Sequence, residues 1–330
     1  MAMFRTDAPL AYKTLLEVAS MLRSREITAV ELTQAVLKQI ATHEPSLHAY
    51  STQAAAESAL AEARAADQQI AKLGTTRGPL HGVPIAVKDL YAVAGLPNMG
   101  GSFALRDNLP TEDCTVVQRL RKHGAILLGK LNTTEGAMGG YNPLLPHPLP
   151  VNPWDASSWA GASSSGSGVA TSAGLAYATL GSDTGGSIRF PAASCGTCGV
   201  KPTRGRCSRH GVLDLAQTLD HVGPLTRCSA DSAIVLQAIG GHDPEDPTSL
   251  HAPPPAVWAS SSDGGWQLLM GDVSARLGRP VRIGICQPYN STDVDPELAA
   301  AVSAAASTLA SATGVKQPAS VLFYRMLLGI

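Results

Sequence analysis

The sequence predicts an α/β sandwich. Stretches with helical periodicity alternate with short, almost wholly apolar runs of strand length, the pattern of helices laid on a buried sheet. The chain of 330 residues is 44% hydrophobic, enough to fill the interior that such layers need. Abundant glycine (32 residues) and alanine suit helices packed closely on a sheet.

The elements follow in order. Residues near 12–24 and 28–44 carry apolar positions at helical spacing. Thr28 fits an N-cap, with Glu31 three residues on as its capping-box partner. Residues 52–73 are rich in Ala and Glu and read as a third helix. Gly78–Pro84 breaks that pattern. Val83–Asp89 predicts a buried strand, Val116–Lys122 a helix and Ala125–Leu128 a strand. Five prolines between Pro143 and Pro153 make 142–157 a long loop. Gly161–Gly168 is a Gly/Ser loop opening a helix over 168–175. Leu175–Gly181 reads as a strand, leading to the glycine pair at 185–186. Val281–Cys286 and 296–312 close the series as a strand and an Ala-rich helix.

Charge narrows the function. Charged residues make up 15% of the chain and the net charge is −1. No basic excess points to nucleic acid, and no acidic run forms a tail. The six cysteines are too few for a disulfide framework in a chain of this length. Cys195 and Cys198 form one CxxC, but no second pair follows at zinc-finger spacing, so small buried thiols are expected rather than a metal or redox centre. No metal or cofactor is expected. Met1–Ala11 lacks a signal-peptide core, and no apolar run is long enough to span a bilayer, which makes the cytoplasm the expected compartment.

Three segments carry chemistry-bearing residues. In the first, Gly181–Pro191, a strand runs into Gly185-Gly186 and then Ser187. Adjacent glycines leave main-chain N–H groups bare, and such a nest can receive an oxyanion beside a nucleophilic serine. An ordinary turn or a phosphate loop has the same look. In the second, Gly161–Gly168, Ser163, Ser164, Ser165 and Ser167 stand at a helix start, where serines also serve as caps. In the third, Gly78–Asp89, Lys88 ends an apolar strand. A buried lysine sheds its proton readily and can act as a base, whereas a surface Lys88–Asp89 pair would do nothing.

Together these segments resemble the amidase signature family. The resemblance rests on Gly161–Gly205, including GSDTGGSIRFPAASCGTCGVKPTRGR, on GPLHGVPIAVKDL, on GKLNTTEGAMGGYNP (129–143) and on LDHVGPLTR (219–227). It runs from about residue 12 to about 313, so 1–330 is expected to be a single amidase domain. It implies an α/β/α sandwich with a mixed central sheet. It also implies amide hydrolysis through an acyl-enzyme: Lys88 as base, Ser163 as relay on a cis peptide bond, and Ser187 as nucleophile. The N–H groups of Thr184, Gly185, Gly186 and Ser187 would form the oxyanion hole, with Met138 and Ser163 at the substrate. His81 would do no more than support the Lys88 strand. The partner implied is a small-molecule amide, and a second copy of the chain is a candidate.

The sequence departs from the family in places. Ala162 stands where many members have glycine, and Ser165 replaces a glycine of one variant. Residues 316–330 do not resemble the family, whose members continue further. A shortened C-terminus lacking some elements, with an exposed sheet edge and low stability, is therefore expected. Three other readings stand beside amide hydrolysis. A glutaminase component of a tRNA amidotransferase shares the scaffold but usually has glutamine where Phe190 and His221 stand. An inactive amidase-like chain would keep only the fold. A nucleotide-binding protein would need GxxxxGK[ST] or a GxGxxG opening a βαβ unit, and neither is present.

Overall fold

The first two helices begin where a threonine meets a glutamate three residues on. α1 (Leu15–Ser24) is capped by Thr14 and Glu17, and α2 (Ala29–Leu47) by Thr28 and Glu31, each as a full capping box. The first helix therefore starts at its own box rather than at residue 12. The computed structural model describes residues 8–138, 142, 148–260, 266–268, 282–286, 289–290, 292–312 and 319–321.

β1 (Tyr50–Gln53) precedes α3 (Ala56–Leu73), so the expected helix over 52–73 splits into an edge strand and a shorter helix. Ala54 stays extended, its N–H donating to Leu128 of the neighbouring strand at 2.9 Å. Next come β2 (Pro84–Lys88), α4 (Thr115–Lys122), β3 (Ile126–Leu131), α5 (Ser165–Ser172) and β4 (Ala178–Asp183). They are followed by α6 (Arg189–Ser194), β5 (Cys198–Gly199), β6 (His221–Thr226) and α7 (Ser229–Ile239). The strands form one mixed sheet in the order β1-β3-β2-β4-β6-β5. β2 lies parallel to β3 and β4, and β4 lies antiparallel to β6. All residues of β2, β3 and β4 are buried, as befits strands covered on both faces. A single large core joins the sheet to α1, α2, α4, α5 and α7.

This sheet and its helices belong to one compact unit, Met1–Leu268. The hairpin of β7 (Trp258–Ser260) and β8 (Trp266–Leu268) closes it, with the two tryptophan rings edge-on at 5.1 Å. A second unit, Leu269–Ile330, holds β9 (Gly284–Cys286), α8 (Pro296–Ala312) and β10 (Ala319–Val321), with β9 and β10 paired in parallel. Of the strand expected over Val281–Cys286, residue 281 lies outside the described residues. So do 143–147 of the loop expected over 142–157, and the tail 316–330 apart from 319–321.

His81 sits at the turn feeding β2. It is buried, and its Nδ1 accepts the Arg77 N–H at 3.1 Å. Gly124, at φ 81°, makes room for the ring: a Cβ there would lie 2.4 Å from His81 Cδ2. Burial first, and then the Arg77 charge, bring the imidazole pKa down to about 4. The folded state thus holds His81 neutral. Its contribution is complete above the ordinary value near 6.5 and is lost as pH falls from there toward 4. His81→Asn keeps an acceptor for Arg77 but does not titrate. We expect thermal melts of this variant to lose part of the parent's decline in Tm between pH 6.5 and pH 4. An unchanged decline would exclude His81 as a source of acid sensitivity.

Candidate active site

Because β2 and β4 are parallel neighbours, their carboxyl ends lie side by side. That brings Lys88, the last residue of β2, against Ser182 near the end of β4. Lys88 is fully buried, and its Nζ donates to Ser163 Oγ at 2.6 Å and to Ser182 Oγ at 2.9 Å. Burial lowers its pKa to about 7, although the Asp183 and Asp220 carboxylates pull the other way. The amine is therefore poised between its charged and neutral forms near neutral pH.

Ser163 is presented by the turn before α5, and its peptide bond to Ala162 is cis. The serines around it do not cap the helix. α5 starts at Ser165, three residues before the expected position, and its N-cap Ser164 makes no side-chain cap bond. The hydroxyls bind β4 instead. Ser164 Oγ donates to Ser182 O and accepts from Ser182 N, both at 3.2 Å. Ser167 Oγ donates to Leu180 O at 3.1 Å, and the Thr171 and Thr179 hydroxyls meet at 3.0 Å. Positions 164, 167 and 171 share one helix face, so the helix is stitched along the strand. Gly181 permits the approach, since a Cβ there would lie 2.7 Å from Ser164 Oγ. Each net hydrogen bond contributes about 1 kcal/mol, and the set fixes Ser163 relative to Lys88.

Asp183 organises the glycine turn. Its buried carboxylate accepts from Gly186 N (2.8 Å), Ile188 N (3.1 Å) and the Arg189 side chain (3.0 and 2.9 Å). Burial alone would raise its pKa, but the Arg189 guanidinium and these N–H groups prevail and hold it below the ordinary carboxylate value. Thr184 Oγ1 donates to Asp220 at 2.5 Å, which pins the other side of the turn. Gly186 N–H, one of the four donors expected for an oxyanion, is therefore engaged by Asp183. Among the described residues the N–H groups of Thr184, Gly185 and Ser187 have no acceptor.

Ser187 is half-buried and lines a cavity of about 380 Å³. Ser164 N–H donates to Ser187 O at 3.1 Å, tying the two serine segments together. No hydrogen bond joins the Ser163 and Ser187 hydroxyls among the described residues. Thr184, Gly185 and Ala162 line the cavity with Ser187, and Trp159, Phe190, Leu215 and Ala137 form its apolar walls. The Trp159 and Phe190 rings stand 6.2 Å apart. Met138, expected at the substrate, is not part of the lining. It is 66% exposed, and its neighbour Ala137 takes the place, turned inward at φ 57°.

Sequence reasoning missed Ser182 as a partner of Lys88 and Asp183 as the hub of the turn. The GSDTGGS run contained both, but only strand register shows that position 182 faces the amine. The CxxC cysteines are buried or half-buried free thiols, with Cys195 Sγ on Ala160 O. No group of three or more His, Cys, Asp or Glu side chains fit to hold a metal is present among the described residues.

A six-stranded mixed sheet with a buried lysine on two serine hydroxyls, beside a glycine turn, defines an α/β protein of the amidase-signature kind. The chain belongs to the Amidase family, whose model matches residues 31–321. It is 52% identical over 241 residues to the "Putative amidase AmiD" of Mycobacterium tuberculosis, covering 73% of this chain and 50% of that protein. It is 42% identical over 295 residues to a glutamyl-tRNA(Gln) amidotransferase component of Geobacter sulfurreducens, covering 89% of this chain and 58% of that one. Among solved structures, the native peptide amidase from Stenotrophomonas maltophilia superposes with a TM-score of 0.79 at 34% identity, over 95% of this chain and 62% of that chain. The chain thus spans roughly half the length of the curated relatives it matches. No helix among the described residues is long and apolar enough to cross a membrane.

Proposed function

We propose that the chain hydrolyses a carboxylic amide, with Ser187 as nucleophile, Ser163 as proton relay and Lys88 as base. The observation that carries this reading is the 2.6 Å contact between the buried Lys88 amine and Ser163 Oγ. A serine hydroxyl is a weak nucleophile without a base. Neutral Lys88 takes the Ser163 proton while Ser163 takes that of Ser187, and Ser187 Oγ bonds to the amide carbon. The oxyanion is received by the unpaired N–H groups of Thr184, Gly185 and Ser187, each worth about 3 kcal/mol in comparable sites. The proton returns through Ser163 to the departing nitrogen as the C–N bond breaks. Water, activated by the same relay, then cleaves the ester and releases the acid. The Ser163–Ser187 hydrogen bond closes when substrate is bound, as catalytic contacts commonly do.

The cavity walls favour a neutral amide with an apolar acyl group. No charged side chain lines them among the described residues, whereas glutamine brings a carboxylate and an ammonium that need partners. Ammonia release from a panel of primary amides is the test, with apolar acyl amides turned over faster than glutamine. Turnover of glutamine alone, and only with partner subunits, would favour the amidotransferase reading. No turnover together with no fluorophosphonate adduct at Ser187 would leave an inactive amidase-like chain.

Ser182 is a positioning residue in this scheme. Its hydroxyl accepts from Lys88 and so favours the charged amine. Ser182→Ala should move the acidic limb of the pH–rate profile to lower pH and reduce kcat about tenfold, in line with the roughly 1.5 kcal/mol of a charge-assisted hydrogen bond. A lower rate with an unmoved limb would mean that Ser182 only packs.

A further inference from the structure

Asp89 follows Lys88 in the turn just past the end of β2, where its N–H donates to Leu131 O at 2.8 Å. It is fully buried and paired with Lys130, also fully buried, at 2.9 Å. The carboxylate is used unevenly. Oδ1 accepts from Lys130 Nζ and, at 3.3 Å, from Met99 N. Oδ2 has no partner among the described residues. Lys130 cannot serve it, because its remaining contacts go to Asn98 Oδ1 at 3.0 Å and Pro97 O at 3.1 Å.

Asp89 lines a cavity of about 170 Å³, distinct from the one at Ser187. The side-chain donors around it are already spent. Tyr50 OH donates to Leu175 O, Asn132 Nδ2 to His48 O and Pro148 O, and Ser102 Oγ to Glu135. Among the described residues that line it, only the Ser51 hydroxyl, itself buried and unpartnered, remains. Met99, Phe103 and Pro148 supply apolar wall. A buried carboxylate oxygen left unpaired is unfavourable by about 1–3 kcal/mol or more, so this site is built to receive a donor from outside the chain. The cavity also exceeds the ~30 Å³ share of one water molecule.

We propose that this cavity binds a small nitrogen donor, an ammonium ion or short primary amine, with its N–H groups on Asp89 Oδ2 and Ser51 Oγ and any carbon tail against Met99 and Phe103. Such a molecule is the nitrogen product of amide cleavage. That assignment of the natural occupant rests on the function proposed above, whereas the binding itself does not. The segment from Asn132 to Ala137 connects the two cavities, Asn132 lining this one and Ala137 the catalytic one.

The test is ligand-observed NMR and calorimetry on the full chain carrying Ser187→Ala, titrated with methylammonium and n-propylammonium chloride. Tetramethylammonium chloride, a cation without N–H, is the control. Saturable binding of both amines at millimolar concentration is expected, with none for the control. Asp89→Asn and, independently, Ser51→Val, which fills the cavity from an edge strand, should each weaken binding by at least about tenfold, or 1.4 kcal/mol. If Asp89→Asn does not fold, Ser51→Val decides. Absent binding, equal binding of tetramethylammonium, or binding untouched by Ser51→Val overturns the proposal. Because fluorophosphonate labelling of the parent at Ser187 is scored separately, failure here is distinguishable from failure of the amidase reading.

Discussion

Lys88→Ala is expected to lower amide turnover by about four orders of magnitude, the upper range for loss of a general base. The reason is geometric as well as chemical. Among the described residues the amine is the only basic group bonded to Ser163, and it is sealed from solvent, so no buffer base replaces it easily. Lys88 and Ser163 act in series, so adding Ser163→Ala to Lys88→Ala should cost little more. With a folded pKa of about 7, the parent's rate should rise as pH passes through 7 and level off above it, and Lys88→Ala should lack that limb. Stability follows the opposite interest. The folded pKa lies below the ordinary 10.5, so burying the ammonium destabilises the fold fully below pH 7, and the penalty fades as pH rises from 7 toward 10.5. Lys88→Met should therefore resist denaturant better than the parent at pH 6 while being inactive. Turnover in Lys88→Ala within tenfold of the parent would remove the lysine from the mechanism.

Much of the fold was legible because periodicity and burial coincide in it. The run PIAVK is apolar up to its lysine and became the central strand, and the Thr28–Glu31 capping box marks a real helix start. β6 was illegible because Gly223 and Pro224 sit inside it, and those residues ordinarily argue against an interior strand. Register with β4, from Ala178 against Thr226 to Asp183 against His221, outweighs that local preference. β1 was hidden by the helix-favouring alanines that follow it.

The site divides the same way. Lys88, Ser163 and Ser187 were singled out from three motifs and the family resemblance they carry, and the first two meet in space. What the motifs could not convey is direction. Whether the serines of Gly161–Gly168 cap a helix or cross to a strand depends on where β4 lies, and that is a tertiary fact. The engagement of Gly186 N–H by Asp183 likewise needs the turn's shape, as does the exchange of Ala137 for Met138 at the cavity wall.

Ser187→Ala should abolish turnover, by about 10⁵–10⁶-fold, the loss seen when a nucleophile that acts as a unit with its base is removed. The oxyanion donors and the cavity remain in this variant, so its residual rate measures what binding and main-chain N–H groups achieve alone. The fold should barely respond. Ser187 is half-buried and its hydroxyl has no partner among the described residues, whereas its carbonyl, which the substitution keeps, holds Ser164 N–H. A change in unfolding free energy within about 0.5 kcal/mol is therefore expected. A fluorophosphonate should add one phosphonyl group to the parent, located at Ser187 by peptide mass, and none to the variant. The two readouts separate the roles of the serines. Ser163 stands on the amine, and of the two residues only Ser187 lines the cavity. Labelling that persists in Ser187→Ala and maps to Ser163 would reverse nucleophile and relay, and labelling at neither would mean that the glycine turn does not activate a serine at all.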